Sequence, residues 1–281
     1  MIFIFLYWFF AFWVLVWLIG LWWLRRFDRK ARDLDSGETF SGGPSPNAQT
    51  LKVVESLGAF TTVLRDTPRS RQLAALRQHM DQMSDGRALD ARLVPVDQAG
   101  VRGEWVLAPG ADPSRRTLYL HGGAFVLGSP RSHRNLTVRF SELTGGAVLA
   151  LDYRLMPEHS RLAGIEDCRN AYRWMLEHGP DGAAPASAVF VAGDSAGGNL
   201  TLTLIAWVRD EGLRAPDAAV ALSPATDMTL GSASMKSNLH SDAMLGPMFR
   251  KLARVPRAAM WWGTWVQHRI QPGDVRMAPL P

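Results

Sequence analysis

Cysteine is nearly absent: Cys168 is the single one in 281 residues. An internal disulfide is therefore excluded. No histidine or aspartate pattern surrounds Cys168 as a thiol nucleophile requires, and its place on an apolar helix face reads as core. Excess charge of one sign is also scarce once it is located. The net charge is +5, but residues 25–32 hold Arg25, Arg26, Arg29, Lys30 and Arg32 against Asp28, a local net of +4. The remainder is close to neutral and offers no basic groove for phosphates, which excludes nucleic acid as a partner. The third shortage is local. Met1 to Leu24 contains no charged residue at all.

That uncharged run is crowded with Trp, Phe, Leu, Ile and Val. As a helix rising 1.5 Å per residue it reaches about 36 Å, enough to cross a hydrocarbon core of about 30 Å. A cleaved signal peptide requires a basic residue before the apolar run and a small-x-small site after it. Neither occurs, since Gly20 is followed by Leu21-Trp22-Trp23-Leu24. Residues 1–24 read as one uncleaved transmembrane helix, and the basic residues after it assign the rest of this single-pass chain to the cytoplasmic side.

Residues 25–47 form a basic flank and then a Gly-, Ser- and Pro-rich tether from Asp35 to Pro46. Residues 48–90 hold two amphipathic helices. Leu51, Val54, Leu57, Thr61 and Leu64 share one face; Leu73, Leu76, Met80 and Met83 share the other helix's face. They serve either as packing against the body of the domain or as a lid over an apolar pocket. From residue 91 to 281 the pattern changes. Leu93–Val96 and Glu104–Leu107 flank Asp97-Gln98-Ala99-Gly100, a hairpin signal. Apolar strands at Thr117–Leu120, Ala147–Leu151, Ala188–Ala192 and Ala218–Leu222 then alternate with helices. These cover residues 133–143, a stretch with Leu162, Ile165, Cys168, Tyr172 and Met175 on one face, and residues 197–209. This alternation implies an α/β fold with a mostly parallel sheet covered on both faces.

Gly193-Asp194-Ser195-Ala196-Gly197 lies between an apolar strand and an apolar helix. Small residues two places either side of a serine permit a sharp turn that lifts the hydroxyl clear of the sheet's end. The following helix points its positive N-terminus toward that hydroxyl. His121-Gly122-Gly123-Ala124 directly follows another strand, and its glycines let backbone N–H groups approach a substrate without a Cβ in the way. With the N–H of Ala196 they form a candidate oxyanion hole, in which one donor is typically worth a few kcal/mol. The His121 side chain reads as structural, because the donors in such loops are backbone groups.

Three blocks carry a resemblance: His121-Gly122-Gly123-Ala124-Phe125, Asp152-Tyr153-Arg154-Leu155-Met156-Pro157-Glu158, and Gly193-Asp194-Ser195-Ala196-Gly197-Gly198-Asn199-Leu200. With Leu222-Ser223-Pro224-Ala225-Thr226-Asp227 they resemble the signature blocks of the hormone-sensitive lipase family of α/β-hydrolase esterases, from about Ala91 onward. The membrane helix in front makes the layout similar to that of arylacetamide deacetylase, a tethered member. The resemblance implies an α/β-hydrolase fold with N-terminal cap helices and hydrolysis of small acyl esters, with no cofactor and no metal. It implies Ser195 as nucleophile, with Gly122, Gly123 and Ala196 as the oxyanion hole.

In such a triad the acid and the histidine follow the nucleophile. Only His240 and His268 do so here, and they lie in an irregular segment rather than in loops after further sheet strands. Asp227 with His240, or Asp242 with His268, keeps the formal order, but both histidines read better as surface or packing residues. His178, before Gly179, serves a helix end. Asp274–Leu280 resembles the stretch before the strand that leads to the family's catalytic acid. The sequence-based expectation is therefore a hydrolase domain lacking its last strands, impaired for want of an acid and a base. A non-catalytic, membrane-tethered scaffold is the alternative.

Overall fold

The computed structural model describes residues 8–20, 22, 47–86, 88–229, 232, 237–252 and 255–278. The basic flank and the tether to Pro46 lie outside them. Two compact units are distinguished, Met1–Thr61 with Asp227–Gln267 and Thr62–Thr226 with His268–Pro281.

The first unit is helical. Helix α1 covers residues 8–20, and its Trp, Phe, Leu, Val and Ile side chains are exposed all round. Among the described residues no helix is long and apolar enough to cross a membrane, and residues 1–7, 21, 23 and 24 of the expected anchor lie outside them. Helix α2 (Ala48–Asp66) starts where Asn47 Oδ1 accepts from the N–H of Thr50 (2.8 Å), an N-cap. It buries none of its side chains, and Leu51 and Val54 of the expected apolar face are exposed. Farther along the chain, Asp242 Oδ1 accepts from the N–H groups of Met244 and Leu245, while Trp261, Trp262 and Trp265 pack ring against ring at 5.0–5.8 Å.

The second unit is built on a six-stranded sheet. Strands β1 (Arg92–Gln98) and β2 (Val101–Leu107) form the hairpin, with Gln98 opposite Val101. Its two turn residues, Ala99 (φ 53°) and Gly100 (φ 74°), are both left-handed, the geometry that matches the twist of the flanking strands. Strands β3 (Asp112–Leu120) and β4 (Gly146–Leu151) follow. His178–Gly179 (β5) and Gly182–Ala183 (β6) make a separate two-residue ladder. Strands β7 (Ala188–Asp194) and β8 (Ala218–Leu222) complete the sheet, in the order β1-β2-β4-β3-β7-β8. The four strands β4, β3, β7 and β8 are parallel.

Every residue of β4 is buried, which is why it reads as an unbroken apolar run. Helix α4 (Arg134–Thr144) supplies Val138 and Phe140 to a cluster with Val106, Tyr119, Val148 and Ala150 on one sheet face. On the other face Trp105 meets Trp174 of helix α5 (Arg161–Glu177) at 6.1 Å. Helix α5 differs from its expected face in one position. Arg161 is buried at 3% exposure, whereas Leu162 is 36% exposed. The buried row is 161-165-168-172-175, a spacing of four and three that the chain's polarity disguises. Cys168 is buried as expected, and burial raises its thiol pKa. His178 closes α5, with its Nδ1 3.1 Å from the Trp174 carbonyl and its ring stacked on that indole at 5.0 Å. Among the described residues β8 is the sheet's last strand, and its Val220 and Leu222 are exposed.

Candidate active site

The chain leaves β3 for its neighbour β4 on one side and returns to β7 on the other, so the strand order reverses between β3 and β7. In open parallel sheets the carboxyl ends of strands at such a switch point form a crevice. The register pairs Leu120 with Gly193, so both strands end level. The glycine turn that begins at His121 and the serine turn at Ser195 are thereby set side by side. Two segments more than 70 residues apart in sequence meet because two strands are in register.

Ser195 is exposed and adopts φ 52°, ψ −114°, a sparsely populated conformation for a residue with a Cβ. Three backbone bonds hold it there. Its N–H donates to Leu222 (2.8 Å), and its carbonyl accepts from Ala225 and Asn199 (3.0 Å each). Helix α6 (Ala196–Asp210) starts at the next residue. The flanking glycines are sterically required. A Cβ on Gly197 would sit 1.8 Å from the Leu120 carbonyl oxygen, and one on Gly193 would sit 2.5 Å from the same atom.

Asp194, immediately before the serine, ties the two turns together. Its Oδ1 accepts from the Tyr119 hydroxyl (2.8 Å) and from the N–H of Gly122 (3.0 Å), and His133 Nε2 lies 3.4 Å away. Burial pushes the Asp194 carboxyl up, yet the His133, Tyr119 and Gly122 contacts together hold it below the usual carboxylate value. A Cβ on Gly122 would fall 2.1 Å from Asp194 Oδ2, so this approach requires glycine. The N–H of Gly122 is thus engaged with Asp194, in contrast to its expected role as an oxyanion donor. Among the described residues the N–H groups of Gly123 and Ala196 have no hydrogen-bond partner. Gly123 has φ 120°, and Ala124 and Phe125 are also left-handed, which makes a tight turn immediately after it.

His121 supports this turn from below. Its ring is buried and stacks on Tyr153 at 4.3 Å, with Nδ1 2.8 Å from the Gly122 carbonyl. Burial, and then the neighbouring His133, lower its pKa to about 3, so it is neutral near pH 7. The Tyr153 hydroxyl donates to the His121 carbonyl (2.7 Å), which packs the Asp152–Glu158 segment against the glycine turn. Helix α3 (Gln72–Gln82) clamps the same region. Arg77 donates to the carbonyls of Val126 and Met156 and pairs with Glu158 at 2.7 Å.

Among the described residues Ser195 Oγ has no hydrogen-bond partner, and no group of three or more His, Cys, Asp or Glu could hold a metal ion. His240 is exposed; His268 is buried edge-on to Phe125, with ring centres 6.0 Å apart. Asp242 is occupied with the N–H groups it caps, and Asp227 Oδ1 accepts from Thr229. The Asp194 contacts and buried Arg161 escaped the sequence reading. The partners of Asp194 are 61 to 75 residues away; the β3–β7 register brings Tyr119 and Gly122 to it, and the helical turn at residues 131–133 brings His133.

Comparison with known proteins agrees with this geometry. Residues 117–279 match the model of a family described as having the alpha/beta hydrolase fold. An acetyl-hydrolase of Streptomyces hygroscopicus is 45% identical over 131 residues, 47% of this chain and 42% of that protein. An esterase of Acinetobacter venetianus is 32% identical over 218 residues, 76% of this chain and 68% of that protein. The crystal structure of an esterase from the bacterial hormone-sensitive lipase family superposes with a TM-score of 0.68 at 32% identity, covering 85% of this chain and 74% of the other. The chain thus spans between about two fifths and two thirds of the length of these curated relatives. It belongs to the esterase- and lipase-like alpha/beta hydrolase fold family.

Proposed function

We propose that this chain carries the nucleophile and oxyanion hole of a serine hydrolase acting on small acyl esters. The observation that supports this is the strained, exposed Ser195 held level with the Gly122-Gly123 turn, with unengaged N–H groups at Gly123 and Ala196. In this reading Ser195 attacks the ester carbonyl, and the N–H groups of Gly123 and Ala196 receive the developing oxyanion. Gly122 contributes its missing side chain, which lets Asp194 anchor the turn. The similarity to an acetyl-hydrolase and to an esterase supports an acyl ester as the substrate class.

Ester turnover also needs a base for the serine proton. That Ser195 Oγ has no partner among the described residues supports the reading that residues 1–281 alone turn over slowly, since losing the base in a serine triad costs about a millionfold in kcat. The test uses the purified chain and its Ser195→Ala variant, with p-nitrophenyl butyrate and an active-site-directed organophosphonate. We expect little turnover by either form and slow phosphonylation of the unmutated chain alone. Robust turnover abolished by Ser195→Ala keeps the nucleophile but overturns the missing base. Equal phosphonylation of both forms overturns the nucleophile and favours a scaffold function.

The tether belongs to the same proposal. A helix apolar on every face is stable inside a membrane or a protein core, and α1 exposes nearly all its side chains. We therefore assign residues 1–24 to a membrane, with the hydrolase part on the cytoplasmic side. Carbonate extraction of membranes should leave the chain in the pellet and detergent should release it; release by carbonate alone contradicts the assignment.

A further inference from the structure

Two helices near the end of the chain, α7 (Leu245–Leu252) and α8 (Arg257–His268), take no part in the sheet. One side of α8 faces inward at Thr264, which is buried and whose hydroxyl donates to the Met228 carbonyl (3.2 Å). The opposite row is Ala259, Trp262, Gly263 and Val266, at the spacing of three and four that keeps residues on one helix face. All four are exposed, Trp262 at 56% and Val266 at 72%. The indole of Trp262 is held outward by the rings of Trp261 and Trp265, at 5.6 and 5.0 Å. A helix face turned to water is ordinarily polar, so an uncharged row of this kind marks a surface that meets something apolar.

The distribution of tryptophan and of charge identifies the partner. Of the eleven tryptophans, five lie in residues 1–24 and three in residues 261–265. Tryptophan concentrates where hydrocarbon meets lipid headgroups. The compact unit that contains α1 also contains residues 227–267. Just before α8, residues 250–257 hold Arg250, Lys251, Arg254 and Arg257, and no Asp or Glu occurs between Ala243 and Gly273. This local +4 and the +4 of residues 25–32 together exceed the whole chain's +5, so all other residues sum to a negative charge. Leu252 and Val255, inside the basic run, are exposed as well. An apolar row beside a basic run matches the boundary of an anionic bilayer, whereas a groove for a polyphosphate chain carries its basic residues on the binding face itself.

We propose that the exposed face of α8, with the basic run before it, is a second membrane contact that lies in the headgroup layer of an anionic bilayer. It goes beyond the membrane assignment of residues 1–24 and stands on different residues. The basic run draws the helix to anionic lipid, and Trp262 and Val266 enter the boundary between headgroups and acyl chains. A single spanning helix leaves the chain free to swivel about its anchor; this contact fixes one face of the helical unit on the bilayer.

The test labels that face in the full chain. Cys168 is buried, so a thiol-reactive nitrobenzoxadiazole placed through Gly263→Cys reports from α8 alone, and a Cβ at Gly263 meets nothing within 4 Å. The labelled chain is reconstituted into vesicles of phosphatidylcholine with phosphatidylglycerol, or of phosphatidylcholine alone, and quenched by doxyl lipid or by aqueous iodide. In anionic vesicles doxyl lipid should quench at least about half of the signal, because an interfacial helix buries its apolar face ~5–10 Å deep. A label placed through Asp210→Cys, exposed at the end of α6, should respond to iodide alone. Trp262→Ser with Val266→Ser should abolish lipid quenching at position 263. Replacing Arg250, Lys251, Arg254 and Arg257 by Gln should reduce it to the level in phosphatidylcholine alone. If those variants fail to fold, the Gly263→Cys label in the otherwise unmutated chain decides. Absence of lipid quenching at position 263 in anionic vesicles overturns the contact, and equal quenching in both vesicles overturns its preference for anionic lipid. A label shielded from both quenchers means that protein, such as a second copy of the chain, covers this face, which also overturns the contact. Carbonate release of a chain whose 263 label is quenched by lipid would overturn the anchor at residues 1–24 and keep this contact, so the two assignments fail separately.

Discussion

Ser195 shows how a single residue stores strain for a site. Holding a side-chain-bearing residue at φ 52°, ψ −114° costs on the order of 1–3 kcal/mol, offset here by the Leu222, Ala225 and Asn199 backbone bonds. Glycine adopts this conformation without the Cβ clash but loses about 0.5–1 kcal/mol through its freer unfolded state. Ser195→Gly should therefore stabilise the fold by roughly 0.5–2 kcal/mol, read as a higher urea midpoint at an unchanged m-value. Ser195→Ala keeps the Cβ and should gain nothing comparable. Equal midpoints for the Gly and Ala variants would mean that the elbow holds no such strain.

Among the elements, helix α3 acts as a clasp. The Arg77–Glu158 pair is half in solvent and contributes little by itself, but the same guanidinium also satisfies the carbonyls of Val126 and Met156. Arg77→Met should cost about 1–2 kcal/mol and speed amide exchange in residues 123–128; unchanged exchange there argues against a clasp. The strands that lie deep in the sheet were legible in the sequence to within a residue or two, because burial on both faces leaves an unbroken apolar run. The first half of β3 was not, since Asp112–Arg116 is polar and its register shifts against β4. The serine and glycine turns were visible because small residues beside a serine, or after a strand, have local steric reasons. Asp194's partners and Arg161's burial depend on long-range register and on which row of a helix faces inward. Leu162 is the more apolar residue, yet Arg161 lies on the inward row.

At the scale of the whole molecule, two buried histidines make stability depend on pH. Burial first, then His133, lowers the His121 pKa to about 3; burial first, then Arg161, lowers the His268 pKa to about 4. In the unfolded chain both take up a proton near pH 6.5. Between about pH 6.5 and their folded values the unfolded state binds more protons, so stability rises with pH in that window. It is full above about pH 6.5 and falls as the pH drops toward 4 and then 3. Asp194 adds a further loss at the acid end, because its depressed carboxyl contributes stability that disappears as the pH falls through its folded value. For His121 alone the slope approaches about 1.4 kcal/mol per pH unit. Urea midpoints measured at pH 8, 7, 6, 5 and 4 should be level between the first two and then fall. His121→Phe, which keeps a ring to stack on Tyr153, should lower the midpoint at pH 8 by removing the bond to Gly122, yet flatten the decline below pH 6. A decline of unchanged steepness in that variant would move the acid sensitivity away from His121 and onto His268 and the carboxylates.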